Sequence, residues 1–171
     1  MKTIHLAQLL LPVLLTTFSN AGVLGQAADQ GATLRVEGEV SQPLTLHAAD
    51  LAKMKRTQLR AKDHDEKEHT FSGFVIADIL QQAGATMGGQ LRGKNMNKYL
   101  LVKAKDGYQV VFSLAELDST FTDRTILLAD EEDGRPIPAD KGPFRIVVPG
   151  EKKHARWTWG VTTFQVRSTK D

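Results

Sequence analysis

Between Ile126 and Trp157 the chain reads ILLADEEDGRPIPADKGPFRIVVPGEKKHARW, a run in which short apolar stretches are cut by Asp133-Gly134, Gly142-Pro143 and Pro149-Gly150. Glycine and proline at such intervals leave room only for strands of a few residues joined by turns. Thr125–Ala129 and Phe144–Val148 are accordingly read as strands, and Val161–Val166 as a last one. The full sequence contains no cysteine. Disulfides and thiolate ligands are therefore both excluded, and stability must come from an ordinary hydrophobic core.

The first half alternates in the same way. Leu34, Val36 and Val40 with polar residues between them predict an opening strand, Gln42-Pro43 a turn, and His47–Met54 a short helix. Thr57–Lys62 is a candidate strand, and the polar run Asp63–Glu68 suits the solvated tip of a hairpin that returns through His69–Phe71. Ile76, Ile79, Leu80 and Ala83 recur at helical spacing, so Gly73–Ala83 is predicted helical with Gly84 closing it. Asp106-Gly107 between Tyr99–Ala104 and Tyr108–Phe112 is a hairpin signal. Ser113 and Glu116 form a capping box that opens another short helix. The expected fold class is α+β, mostly antiparallel strands with short helices on the margins.

Residues 1–27 have a single lysine at Lys2, an apolar run Leu9–Leu15 interrupted by Pro12, and small residues before two candidate cuts, after Ala21 and after Ala27. That pattern reads as a secretory signal peptide, and the apolar run is far short of the roughly 20 residues a spanning helix needs. Export to a bacterial periplasm is the expectation, with no membrane attachment after cleavage and residues 28–171 forming one domain. Loss of Lys2 with the leader leaves 21 basic against 20 acidic side chains. So even a balance gives no basis for nucleic-acid binding.

Several pieces in order resemble one known family. Leu34–Asp50 (LRVEGEVSQPLTLHAAD) is similar to an opening strand, Pro-Leu turn and short helix; Phe71–Gly84 (FSGFVIADILQQAG) to a Gly-Val-Pro-Leu helix without its proline; Asp106–Leu117 to a strand and short helix; and Ile126–Trp157 to a closing segment. Together they resemble the sulfite-oxidase-type molybdopterin-binding domain, which implies that fold. The resemblance also implies molybdenum held by one cysteine thiolate beside the pterin sulfurs, on the segment that falls here near Arg60, Ala61 and Lys62. None of these supplies a thiolate, and a hard oxygen donor does not replace a soft sulfur. Only the resemblance implies molybdopterin; no cofactor follows from the residues themselves.

The family's pterin-phosphate loop, with a lysine before the tryptophan, corresponds here to the short Glu151–Arg156 ahead of Trp157. Lys153, Arg156 and Trp157 are thus the candidate binding residues, Arg156 standing in the lysine's position with a planar fork suited to anions. The alternative is a solvated basic turn. Trp157 and Trp159, two apart, share one face if the segment is a strand, as a ligand wall or as core. His64 and His69 could share a divalent ion across the Asp63–His69 turn, but their spacing matches no zinc signature, and a solvated turn is the simpler reading. Ser72, Ser113 and Ser119 lack a nucleophile setting, and Arg92-Gly93-Lys94 behind Gly88-Gly89 lacks the ending of a phosphate loop. No catalytic or metal-binding residue is assigned.

The expected function is a non-catalytic module for a small anion or a periplasmic partner protein. The alternative is a molybdopterin-dependent oxidoreductase with an altered ligand or a site completed by a partner. Sequencing the amino terminus of the exported protein should find Gly22 or Ala28 first; an intact Met1 on the mature protein removes the periplasmic assignment.

Overall fold

The computed structural model describes residues 31–169; the predicted leader lies outside them. Five strands form the first sheet: β1 (Thr33–Gly38), β2 (Leu44–His47), β5 (Lys98–Ala104), β6 (Gln109–Ser113) and β10 (Val161–Ser168), in the order β2-β1-β10-β5-β6. The second sheet contains β3 (Thr57–Lys62), β4 (Glu68–Val75), β7 (Leu127–Glu132) and the two-residue β8 (Arg135–Pro136) in that order, with β9 (Arg145–Val147) also paired to β7. All pairings are antiparallel except β1 with β10, which brings the first and last described strands side by side. Three short helices, α1 (Ala48–Leu51), α2 (Ile76–Gln82) and α3 (Leu114–Leu117), complete an α+β arrangement. No helix among the described residues is long and apolar enough to cross a membrane.

Alternation along the strands produces one core. Leu34 and Val36 of β1, Leu100 and Val102 of β5, and Phe164 and Val166 of β10 are buried in the same cluster as Phe71, Phe74, Leu127, Leu128 and Ile146 from the second sheet. Val36 lies opposite Phe164 in the parallel pair, and Phe164 opposite Val102 in the antiparallel one, so apolar side chains meet across neighbouring strands. α2 adds Ile76, Ile79 and Leu80, all fully buried.

α2 is shorter than its apolar spacing predicted. Gly73, Phe74 and Val75 remain in β4 because they pair with Ala129, Leu128 and Leu127 of β7, and those ladder bonds outcompete an extra helical turn. Gly73 permits that approach: a Cβ there would stand 2.1 Å from the Leu128 carbonyl oxygen. At the other end Gly84 takes φ +69°, and the amide of Ala85 donates to the Leu80 carbonyl (2.9 Å), closing the helix as expected. The predicted helix over His47–Met54 contracts to α1, with Val40 leaving β1 to bridge Ala85. The α3 capping box forms as the sequence predicts: the Ser113 hydroxyl accepts from the Glu116 amide at 3.2 Å, and the Glu116 carboxylate accepts from the Ser113 amide at 2.8 Å.

The Asp63–Glu68 run is not wholly a solvated tip. Asp63 is buried, and only the residues after it are exposed, because its carboxylate has a partner deep in the second sheet. Replacing Ile79 with Asp should cost about 3–5 kcal/mol, the penalty for an unpaired charge in a closed core. A denaturant titration checks it, and an unchanged midpoint would mean the α2 stripe is not core.

Candidate functional site

The guanidinium that meets Asp63 belongs to Arg145, the first residue of β9, which pairs with Ala129 of β7 and bridges Trp159. Arg145 is fully buried. Its two terminal nitrogens reach the two Asp63 oxygens at 2.6 and 2.7 Å, a bidentate pair, and one of them lies 3.4 Å from Glu132. Phe71, Trp157 and Trp159 surround the same guanidinium, with ring centroids 5.4, 5.1 and 3.8 Å away. Its Nε has no hydrogen-bond partner among the described residues. Burial alone would push the Asp63 carboxyl up, but Arg145 and the His64 amide outweigh it and hold the group below its ordinary value.

Beside this pair opens a cleft of about 800 Å³ between two hairpin turns. The β3–β4 turn contributes Asp63, His64 and Asp65; β4 contributes His69; Glu132, Asp133 and Arg135 come from the β7–β8 hairpin. Pro136, Pro138, Lys141 and Trp159 complete the lining. Asp133-Gly134 makes the tight turn the sequence predicts, with both residues at positive φ (50° and 72°). That turn directs the Asp133 carboxylate back to the Thr70 amide (2.9 Å) and to His69 Nδ1 (2.7 Å). His69 Nε2 faces Asp65 at 3.1 Å. Lys141 stands over the Trp159 ring, 5.3 Å from its centroid.

None of Lys153, Arg156 and Trp157 lines this cleft. Lys153 is exposed. Arg156 reaches the Glu116 carboxylate at 3.1 and 3.2 Å, Glu151, and the Val111 carbonyl, and lies 4.4 Å from the Phe112 ring centroid. Its fork is occupied by this chain's own carboxylates, and Glu116 serves both as helix cap and as its counter-ion. Trp157 is buried, its indole N–H donating to the Val148 carbonyl at 3.1 Å. The residues before it form a 3-10 turn, His154–Arg156, rather than a strand. The expected shared wall of two indoles is therefore divided: Trp157 packs edge-on against Phe71, and Trp159 alone reaches the cleft. What joins the indoles is Arg145, which both contact.

Nor do the two candidate histidines converge on an ion. His64 packs against His154 (centroids 4.5 Å apart), while His69 is held by Asp65 and Asp133. No group of three or more His, Cys, Asp or Glu side chains arranged to hold a metal ion occurs among the described residues. Arg145, Glu132, Asp133 and Lys141 were not singled out from the sequence. Arg145 did leave a signal, a lone charge inside the apolar run Phe144–Val148, where an inward position requires a buried partner.

The model of the oxidoreductase molybdopterin binding domain matches residues 60–169, from the end of β3 through β10. The chain belongs to this family. Among solved structures, sulfane dehydrogenase SoxCD from Paracoccus pantotrophus is similar, with a TM-score of 0.62 at 19% identity over 81% of this chain and 39% of that one. At such identity the likeness is one of fold, and it confirms the sulfite-oxidase-like α+β architecture; this chain spans about two fifths of the length of that protein. No curated protein matches.

For this member of the molybdopterin-binding domain family, donor chemistry near the expected ligand position is plain. Ala61 presents a buried methyl on β3 opposite His69, and Asp63, the next residue on the same face, is bound on both oxygens by Arg145. Removing the guanidinium by Arg145→Met should destabilise the fold by about 3–5 kcal/mol, because Asp63 keeps its burial and loses its counter-charge. Adding Asp63→Leu to that variant should recover most of the loss, measurable by denaturant unfolding. The pair's contribution should fade as pH falls through the depressed Asp63 value, below the ordinary aspartate pKa of about 3.9.

Proposed function

We propose that this chain is an exported, non-catalytic binding domain of the molybdopterin-binding family, and that its ligand or partner engages the cleft beside the Asp63–Arg145 pair. One observation carries this reading: where the family resemblance places a metal thiolate, the chain has the Ala61 methyl, and the adjacent carboxylate is already saturated by Arg145. The soft thiolate that the family resemblance calls for is missing from this position, and a hard oxygen is not its equivalent in affinity or redox tuning. Of the residues expected to grip the pterin phosphate, Arg156 has its guanidinium engaged by Glu116 and Glu151, which weakens the case for that grip.

The lining favours a partner's polar side chains over a simple anion. Arg135 and Lys141 offer positive charge, but Asp65, Glu132 and Asp133 share the same cleft, so a lone anion would face carboxylates as well. A group carrying both signs, such as a polar loop of a partner protein, meets both sets. Trp159 supplies an aromatic wall for the apolar part of such a group.

Protein purified from its native periplasm should contain no stoichiometric molybdenum and release no oxidised pterin, measured by metal analysis and fluorescence after acid oxidation. Stoichiometric amounts of both would overturn the reading in favour of an oxidoreductase with an altered ligand. Ala61→Cys alone should not restore oxidase activity, because a thiolate adds one metal bond and leaves Arg156 engaged. A molybdenum-loaded, sulfite-oxidising Ala61→Cys protein would show that the cofactor pocket is intact.

A further inference from the structure

We propose that His69 is a proton-operated latch across the mouth of the cleft: as imidazolium it ties the Asp65 arm of one hairpin to Asp133 of the other, and as the neutral ring it releases Asp65. The cleft is the one assigned above to a partner, but the latch rests on geometry alone and holds whatever the cleft receives.

Both ring nitrogens face carboxylate oxygens, Nδ1 at 2.7 Å from Asp133 and Nε2 at 3.1 Å from Asp65. A neutral imidazole has one N–H, so both contacts are hydrogen bonds only when the ring is charged. After loss of a proton the remaining N–H stays with Asp133, the shorter contact, whose carboxylate is also fixed by the Thr70 amide. Asp65 then faces a lone pair. Its other holds are the Lys67 amide at 3.0 Å and the Lys67 ammonium at 3.7 Å, and with its side chain 45% exposed, water competes for it. Motion is confined to the tip because the base of the turn is pinned: the Asp63 amide donates to the Lys67 carbonyl, and the Asp63 carboxylate is locked on Arg145.

The charges around the ring favour the closed form. Glu132 lies 3.6 Å from Nδ1, so three carboxylates face one imidazole. Arg145 partly serves Glu132 and Arg135 acts on Asp133, but neither reaches Asp65. His64 on the same turn is turned toward His154. The Asp133 hydrogen bond raises the His69 pKa most; burial opposes it, and Asp65 reinforces it. The imidazolium therefore persists above the ordinary histidine value of about 6.5. The tie is complete below that value and is lost as pH rises through the raised one.

The test is ring-nitrogen NMR of the mature protein over a pH series, with amide hydrogen exchange at Glu66 and Lys67 corrected for intrinsic rates. His69 should titrate above the ordinary histidine range, and protection of those two amides should fall severalfold across the same interval. In His69→Gln the exchange should lose that step. Should this variant not fold, Asp65→Asn on the exposed tip should lower the His69 titration point. The latch is overturned if His69 titrates at or below the ordinary range, if tip protection is flat through its titration, or if Asp65→Asn leaves the titration unmoved. Each readout is taken without ligand, so its failure is separate from failure of the binding assignment.

Discussion

The arrangement of the second sheet turns on one buried ion pair. Arg145 begins β9 with no exposed surface, and a guanidinium there is tolerable only because Asp63 meets it on two hydrogen bonds and three aromatic rings surround it. That requirement fixes where the β3–β4 turn lies, 82 positions away in sequence. The cleft follows from it. With the turn held at Asp63, the residues beyond are carried to a place opposite the β7–β8 hairpin, and Asp65, His69 and Asp133 come within bonding distance. A buried pair of this kind is weak evidence for net stability, because desolvation of both charges offsets much of their attraction.

The same pair separates fold from chemistry. Family membership and the SoxCD likeness concern the backbone, and a backbone of this kind can host different sites. Here the region near the expected thiolate carries a methyl and a neutralised carboxylate. The basic segment before Trp157 is turned inward in a comparable way, with Arg156 bound by Glu116 and Glu151 and stacked on Phe112. At both places a side chain able to grip a ligand is held by the protein itself. The mixed-charge cleft with Trp159 in its wall is open to solvent.

Local signals were legible where a short-range interaction decides the structure. The Ser113–Glu116 capping box, the Asp106-Gly107 and Asp133-Gly134 turns, the closing Gly84 and the limits of β3 depend on neighbours in the chain, and the sequence read them correctly. Helix α2 was read too long at its start because pairing of Gly73–Val75 with β7 is a tertiary interaction that helical periodicity does not register. Of the candidate site, little was legible. Lys153, Arg156 and Trp157 followed from the family resemblance of the segment before the tryptophan, and a resemblance along the chain does not report that Glu116 and Glu151 converge on Arg156 or that Trp157 packs on Phe71.

By itself, the sequence determined the class of fold, the turn positions and the absence of a thiolate, since each is a matter of residue type or of spacing within a few positions. Only the tertiary structure decided which charges are spent and which are free. Asp63 was one acid in a polar run until β9 delivered Arg145 to it, and His69 was one imidazole in that run until two hairpin tips placed a carboxylate on each of its nitrogens. The reason is physical: the state of a charged group is set by what lies within a few ångströms in space, and for these groups the deciding partners are 82 and 64 positions away.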